Sequence, residues 1–157
     1  AEDGIRDSWA SRGLGDVYKR QIDILSKDIT LGDIGSTIQT YVEQEGFSVV
    51  RDFCGHGIGK TFHKEPNILH YGKEGTGEKI KTGMIFTIEP MINLGDYETK
   101  TLNDGWTAVT KDKSLSAQFE HTIGVTKDGY EIFTQQKIKQ NDWKIFQKRN
   151  QNYMGGL

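Results

Sequence analysis

The sequence has a single cysteine, no excess of charge of one sign and no long hydrophobic run. Because Cys54 has no cysteine partner in the chain, it cannot form an internal disulfide; this fits a reducing compartment, and we interpret its side chain as a small buried hydrophobe. The 20 basic residues are balanced by 22 acidic residues, so the charge gives no sign of a nucleic-acid or anionic-membrane partner. Hydrophobic runs stay well short of the roughly 18 residues that a membrane span requires. We therefore expect a soluble intracellular protein with neither nucleic acid nor membrane as a partner.

The length and composition are those of one globular domain, with 157 residues and a hydrophobic content of 34%. The segment 1–21 lacks an amphipathic period and the apolar core of a signal peptide. Its ends, AEDGIRD and VYKRQ, resemble translated adapter sequence. We therefore expect residues 1–21 to be non-native, residues 22–136 to form the domain, and residues 137–157 to form a polar tail with a short helix near Trp143 and Phe146.

An amphipathic helix is predicted ahead of the first strand. Its apolar residues recur at helical spacing and are followed by a glycine suited to a helix C-terminus: Ile34, Ile38, Tyr41, Val42 and Gly46. The next segment, residues 47–53, alternates in the way that is typical of a short strand.

The second half of the chain predicts hairpins. Asn103, Asp104 and Gly105 form a turn signal between two alternating segments, and the Lys-Asp-Gly sequence at 127–129 does the same further on. We expect four or more antiparallel strands here. One helix followed by hairpins predicts an α+β fold.

Two histidines lie in a glycine-rich segment, CGHGIGKTFHKEP, from Cys54 to Pro66. Neither a helical nor a strand period holds His56 and His63 in register, so we interpret this segment as a loop at a strand end. One hypothesis is that the glycines clear space for a ligand at His56; the alternative is a solvated loop.

Two glutamates lie in segments whose neighbours are apolar, Glu89 in IFTIEPMI and Glu120 in AQFEHTIGV. A buried carboxylate is costly unless it is paired or binds a cation. If the two segments form neighbouring strands, alternation places both carboxylates on one face. Together with His56 they would suit a first-row divalent ion such as Mn, Fe, Co or Zn. The alternatives are a lysine partner for Glu89, which Pro90 places at a strand end or edge, and a water-exposed Glu120.

Several of these motifs occur together in the order of one known family. The segments LGDIGSTIQTYVEQEGFSVVR, CGHGIGKTFHKEPNILHY, GMIFTIEPMINLG and NDGWTAVTKDKSLSAQFEHTIGVT closely resemble the C-terminal half of type 1 methionine aminopeptidases. The resemblance runs from Ile22 to Thr134. It implies a partial metallopeptidase domain over residues 22–136, with the C-terminal half of a pita-bread fold: a curved antiparallel sheet with flanking helices.

The resemblance also implies a reaction, the metal-dependent removal of the N-terminal methionine from nascent proteins. It implies two divalent metal ions (Co, Mn, Fe or Zn) held in part by His56, Glu89 and Glu120, with Glu120 bridging the ions. Glu89 would also shuttle a proton. His63 is similar to the family histidine that contacts the scissile peptide and the developing oxyanion.

Further residues are implied around the substrate. Phe62 and Trp106 resemble aromatic residues of the methionine pocket. We interpret His70 and His121 as structural, with His121 placed to orient the neighbouring ligand. The implied partners are nascent polypeptides with N-terminal methionine, near the ribosome, and the implied location is cytoplasmic, with organellar targeting left open.

The chain also departs from the family pattern. Two aspartate ligands and a further histidine of the family are not reproduced, because Asp3, Asp7, Asp16 and Asp23 do not have the family's spacing. We therefore expect this fragment alone to be inactive and to expose an apolar face. The alternative functions are a proline-directed aminopeptidase of the same superfamily and a non-catalytic pita-bread binding protein.

Overall fold

The computed structural model of the protein describes residues 29–135. The predicted helix is present as α1, Leu31–Gln44. Its first turn is capped by Asp33, whose carboxylate accepts hydrogen bonds from the Thr30 amide at 2.6 Å and the Thr30 hydroxyl at 2.9 Å. Gly46 follows the helix with a φ of +80°, so the predicted glycine ending is confirmed. The expected segment 1–21, the tail from residue 137 and its helix lie outside the described residues.

Within residues 29–135, ten strands follow the helix, and every pairing between them is antiparallel. They are β1 Ser48–Val49, β2 Gly55–Gly57, β3 Lys64–Ile68, β4 Ile85–Ile88, β5 Met91–Asn93, β6 Thr99–Thr101, β7 Ala108–Thr110, β8 Ser116–Gln118, β9 His121–Thr126 and β10 Gly129–Ile132. One sheet has the order β10-β9-β4-β2-β3, a second has the order β1-β5-β8, and β6 and β7 form a separate hairpin.

Both predicted turns are confirmed. The turn at residues 103–105 joins β6 to β7, and residues 127–128 join β9 to β10. Gly105 and Gly129 have φ values of +70° and +148°, which a residue with a Cβ adopts only at a cost. The strand predicted over residues 47–53 is shorter than expected, because β1 pairs with β5 through only two residues, Ser48 and Val49.

The prediction that His56 lies in a loop was wrong. His56 is the middle residue of β2, which lies between β3 and β4 in the five-stranded sheet. Both glycines of this strand allow close contact between backbones: a Cβ on Gly55 would clash with the Thr87 carbonyl oxygen, and one on Gly57 would lie 2.6 Å from that of Glu65. The glycines therefore admit a short central strand rather than a mobile loop.

The hydrophobic core lies between the helix and one face of the sheet. It joins the helix residues Ile34 and Ile38 with Phe86, Ile88 and Ile123, all with at most 1% of their surface exposed. Burying side chains of this size stabilises the fold by about 1.5–3 kcal/mol each. Within residues 29–135, no helix has the length and apolar character needed to cross a membrane.

The two sheets share one continuous register. Ile88 pairs with His121 in the first sheet and Met91 pairs with Gln118 in the second, so the same register places Glu89 opposite Glu120. Pro90 has no N–H to continue the ladder. The glutamates thus lie just outside the strands rather than within them, Glu89 directly after β4 and Glu120 directly before β9. The two segments are therefore neighbours, which is the condition under which alternation places both carboxylates on one face.

Candidate metal centre

A row of side chains crosses the sheet on the face opposite the core. Thr87 of β4 pairs with Thr122 of β9, and His56 lies opposite Thr87 because the next pair along is Gly57 with Phe86. Thr87 is fully buried. Its hydroxyl accepts the His56 amide N–H at 2.9 Å and donates to Glu89 Oε1 at 2.6 Å. One hydroxyl therefore links the backbone of His56 to the carboxylate of Glu89.

The imidazole of His56 has the tautomer that a metal ligand needs. Its Nδ1 lies 3.1 Å from the Gly57 carbonyl oxygen, and because that oxygen only accepts, Nδ1 carries the proton. Nε2 is then left with its lone pair, 3.8 Å from Glu89 Oε1. Two atoms that bind one ion at about 2.0–2.2 Å each can be up to about 4 Å apart. An imidazole nitrogen and a carboxylate oxygen at this separation fit a first-row divalent ion.

Glu120 lies opposite Glu89 in the register, but its side chain is exposed. Across the described residues 29–135, no three His, Cys, Asp or Glu side chains converge closely enough to hold an ion. The structure therefore brings two of the three predicted ligands together, and the ligand role of Glu120 stays a prediction. The lysine partner considered for Glu89 is replaced by Thr87 and His56, whereas the alternative of an exposed Glu120 agrees with the structure.

An aromatic cluster stands beside His56. The ring centroid of His56 lies 4.3 Å from that of His63 and 5.2 Å from that of Phe62. The ring centroids of His63 and Phe62 are 4.8 Å apart. Phe62 keeps 65% of its surface exposed, so an apolar ring is available to a ligand next to the His56–Glu89 pair. Trp106 lies at the β6–β7 turn with 90% of its surface exposed, and its place in a methionine pocket stays a prediction.

A site residue that sequence reasoning treated only as structural is His70. It keeps 2% of its surface exposed, and its Nε2 accepts the backbone N–H of Glu89 at 3.1 Å. Burial lowers the pKa of His70 from its ordinary value of 6.5 to about 4, because the charged imidazolium is poorly solvated there. No pattern in the sequence indicates this contact, because His70 and Glu89 lie 19 positions apart.

Two more residues near the site, Cys54 and His121, have pKa values shifted toward the neutral form. Burial, followed by the negative charge of Glu89, raises the pKa of the Cys54 thiol, so the thiol stays protonated, although its side chain is half-buried rather than buried as expected. His121 Nδ1 lies 2.8 Å from the Thr134 hydroxyl, and burial lowers the pKa of this imidazole.

The sequence profile of metallopeptidase family M24 matches residues 14–127. This chain belongs to metallopeptidase family M24. This chain is 59% identical over 120 residues to a methionine aminopeptidase of Rickettsia prowazekii. The match covers 76% of this chain and 46% of the relative. This chain is 64% identical over 104 residues to methionine aminopeptidase A of Synechocystis, covering 66% of this chain and 41% of the relative.

Solved structures give the same result for the fold of the M24 chain. The crystal structure of the Rickettsia prowazekii methionine aminopeptidase matches with a TM-score of 0.74 and 58% identity, over 77% of this chain and 49% of that one. The Thermotoga maritima methionine aminopeptidase matches with a TM-score of 0.77 and 45% identity, over 80% and 50%. The predicted α+β fragment of a pita-bread fold and the resemblance to methionine aminopeptidases are confirmed. The M24 chain spans just under half the length of the curated relatives it matches.

Proposed function

We propose that this chain is the part of a methionine aminopeptidase that carries His56, Glu89 and His63, and that the complete enzyme removes the N-terminal methionine from nascent proteins. The observation that carries the proposal is the His56–Glu89 pair, with its 3.8 Å separation and fixed tautomer, in a chain that is 57–64% identical to proteins named methionine aminopeptidase. A nascent chain as substrate favours a cytoplasmic location close to the ribosome. The proline-directed alternative has weaker support, because the matching prolidase structure is only 22% identical.

The chain's own donors would hold the metal. His56 Nε2 and Glu89 Oε1 would supply one nitrogen and one oxygen, and Glu120, opposite Glu89 in the register, would supply a further carboxylate. When bound, the divalent ions lower the pKa of water to near neutral and polarise the substrate carbonyl. The mixed donor set favours Co, Mn, Fe or Zn over a hard-oxygen ion such as calcium. Two ions need more ligands than these three residues provide, and we propose that this chain alone is inactive.

Around the ions, four side chains would act on or contact the substrate. The Glu89 carboxylate would accept a proton from the attacking water and pass it to the leaving amine. An N–H of His63 would donate to the oxygen of the scissile carbonyl as negative charge develops on it. Phe62, exposed beside both histidines, would contact the thioether side chain of methionine. Trp106 is assigned to the same pocket.

A fusion tests this function directly. The part of the Rickettsia prowazekii relative that this chain does not match is joined to this chain, and the fusion is given a Met-Ala-Ser peptide or an Ala-Pro-Ala peptide with Co²⁺. We expect turnover of the methionine peptide only, and a loss of about 100-fold or more in kcat for Glu89→Gln. A Thr40→Ala fusion, changed on the exposed side of α1, is the matched control. Turnover that prefers the proline peptide, or that survives in Glu89→Gln, would overturn the proposal.

A further inference from the structure

The backbone of Glu89 lies outside the hydrogen-bond ladder that a strand residue normally belongs to. β4 ends at Ile88, and Pro90, without an N–H, cannot donate to a neighbouring strand. The Glu89 N–H therefore finds its acceptor outside the two sheets, at His70 Nε2, 3.1 Å away and 19 residues earlier in the chain. Because an amide N–H only donates, Nε2 is the unprotonated nitrogen of His70, and the tautomer of this ring is fixed as well.

His70 is itself held in place by the helix. The helix residue Gly35 packs directly on the backbone beside His70: a Cβ there would clash with the Tyr71 carbonyl oxygen and lie 2.8 Å from that of Leu69. These carbonyls flank His70 on both sides. With 2% of its surface exposed, the imidazole is enclosed by protein, so it connects the segment under the helix to the Glu89 amide.

Two hydrogen bonds from separate elements then fix the Glu89 residue. His70 holds its backbone N–H from the segment after β3, and Thr87 holds its Oε1 from β4 at 2.6 Å. A carboxylate restrained only at Oε1 can swing with its backbone, whereas one restrained at both ends keeps its distance to His56 Nε2. Orienting partners of this kind typically change metal affinity 10- to 100-fold when they are removed.

We propose that His70 is a positioning residue for Glu89: by accepting its backbone N–H, it sets the His56–Glu89 separation on which divalent-ion affinity depends. The inference rests on the proposed function in so far as Glu89 holds an ion. It assigns His70 no contact with substrate or metal, and it links the packing of the helix to the geometry of the site.

Two substitutions at His70 distinguish the effect of losing the hydrogen-bond acceptor from the effect of losing the volume of the ring. His70→Gln places a carbonyl oxygen near the position of Nε2 and keeps an acceptor, whereas His70→Leu fills the space without one. Val42→Ala, on the buried face of α1, is the control that destabilises the fold without touching Glu89. Each chain is titrated with Co²⁺ at pH 7.5 and followed by visible absorption, and stability is measured in parallel by urea unfolding.

We expect His70→Leu to weaken Co²⁺ binding 10- to 100-fold, His70→Gln to stay within about threefold of the unsubstituted chain, and Val42→Ala to leave the affinity of the folded chain unchanged. Equal affinities for His70→Leu and the unsubstituted chain would overturn the proposal, as would a loss in Val42→Ala as large as that in His70→Leu.

A second measurement keeps this proposal separate from the proposed function. The Glu89 amide is followed by ¹H–¹⁵N NMR and hydrogen exchange in the ion-free chains. If the unsubstituted chain binds no Co²⁺, its own ligands do not hold an ion without the rest of the enzyme, and the fusion described above decides the metal site. The role of His70 is then decided by the amide: faster exchange in His70→Leu with protection retained in His70→Gln supports it, and an unchanged Glu89 amide in His70→Leu refutes it.

Discussion

Lowering the pH from 7 to 5 is expected to destabilise the folded chain by about 2 kcal/mol through His70 alone. Burial holds the pKa of this imidazole at about 4 in the folded chain, against 6.5 for an exposed histidine. Between these two values the unfolded chain binds a proton that the folded chain does not. The stability contributed by the neutral ring is therefore complete above pH 6.5 and is lost as the pH falls toward 4.

The magnitude follows from the size of the shift. A lowering of about 2.5 units corresponds to about 3 kcal/mol over the whole window, at about 1.4 kcal/mol for each unit. Most of this loss falls between pH 6.5 and pH 4, which is why the range from 7 to 5 accounts for about 2 kcal/mol. Because His70 has 2% of its surface exposed, solvent does little to reduce the effect.

Urea unfolding followed by circular dichroism at pH 7, 6 and 5, without divalent ions, measures the loss. His70→Gln is the comparison, since it keeps an acceptor for the Glu89 N–H but cannot titrate, and the other acidic and basic groups cancel in the difference. We expect the unsubstituted chain to lose about 2 kcal/mol more than His70→Gln between pH 7 and 5. Equal losses of unfolding free energy in the unsubstituted chain and in His70→Gln would refute the reasoning.

Three further substitutions test the local geometry. Thr87→Val, which keeps the shape but removes the hydroxyl between His56 and Glu89, should cost about 1–3 kcal/mol of unfolding free energy and weaken Co²⁺ binding about 10-fold. Thr87→Ser should keep the affinity, and equal affinities for the two variants would contradict the role of the hydroxyl. Gly35→Ala should cost about 1–3 kcal/mol in urea unfolding through its clash with backbone oxygens, whereas an effect as small as that of Thr40→Ala would show that the helix does not press on this segment. Asp33→Asn should cost about 1 kcal/mol by weakening the helix cap, and the loss should vanish at a pH low enough to protonate Asp33.

The local patterns of the sequence predicted much of the fold. Helical spacing of apolar residues and Gly46 predicted α1, and the Asn-Asp-Gly and Lys-Asp-Gly signals predicted two hairpins, because each depends on residues close together in the chain. β2 could not be found in this way. Its three residues include two glycines, and it is a strand only because β3 and β4 contact it on both sides, which is a tertiary effect.

The sequence also predicted part of the site, because that part depends on local patterns. Alternation predicted that Glu89 and Glu120 would share one face if their segments were neighbours, and the register of the strands puts them opposite each other. Pro90 indicated a strand end or edge at Glu89, but no pattern showed that both glutamates lie in a gap between two sheets or decided that the Glu120 side chain is exposed. The hydrogen bond from Glu89 to His70 joins residues 19 positions apart and leaves no periodic trace.

The unbroken register across the gap determines where this chain can change in length. Deleting Pro90 would turn every side chain of β5 to the opposite face, so the β4–β9 and β5–β8 pairings could not both be kept. The segment between β5 and β8 is under no such constraint, because the pairs on either side of the gap are aligned without it. Residues can be gained or lost around the β6–β7 turn while Glu89 and Glu120 keep their places.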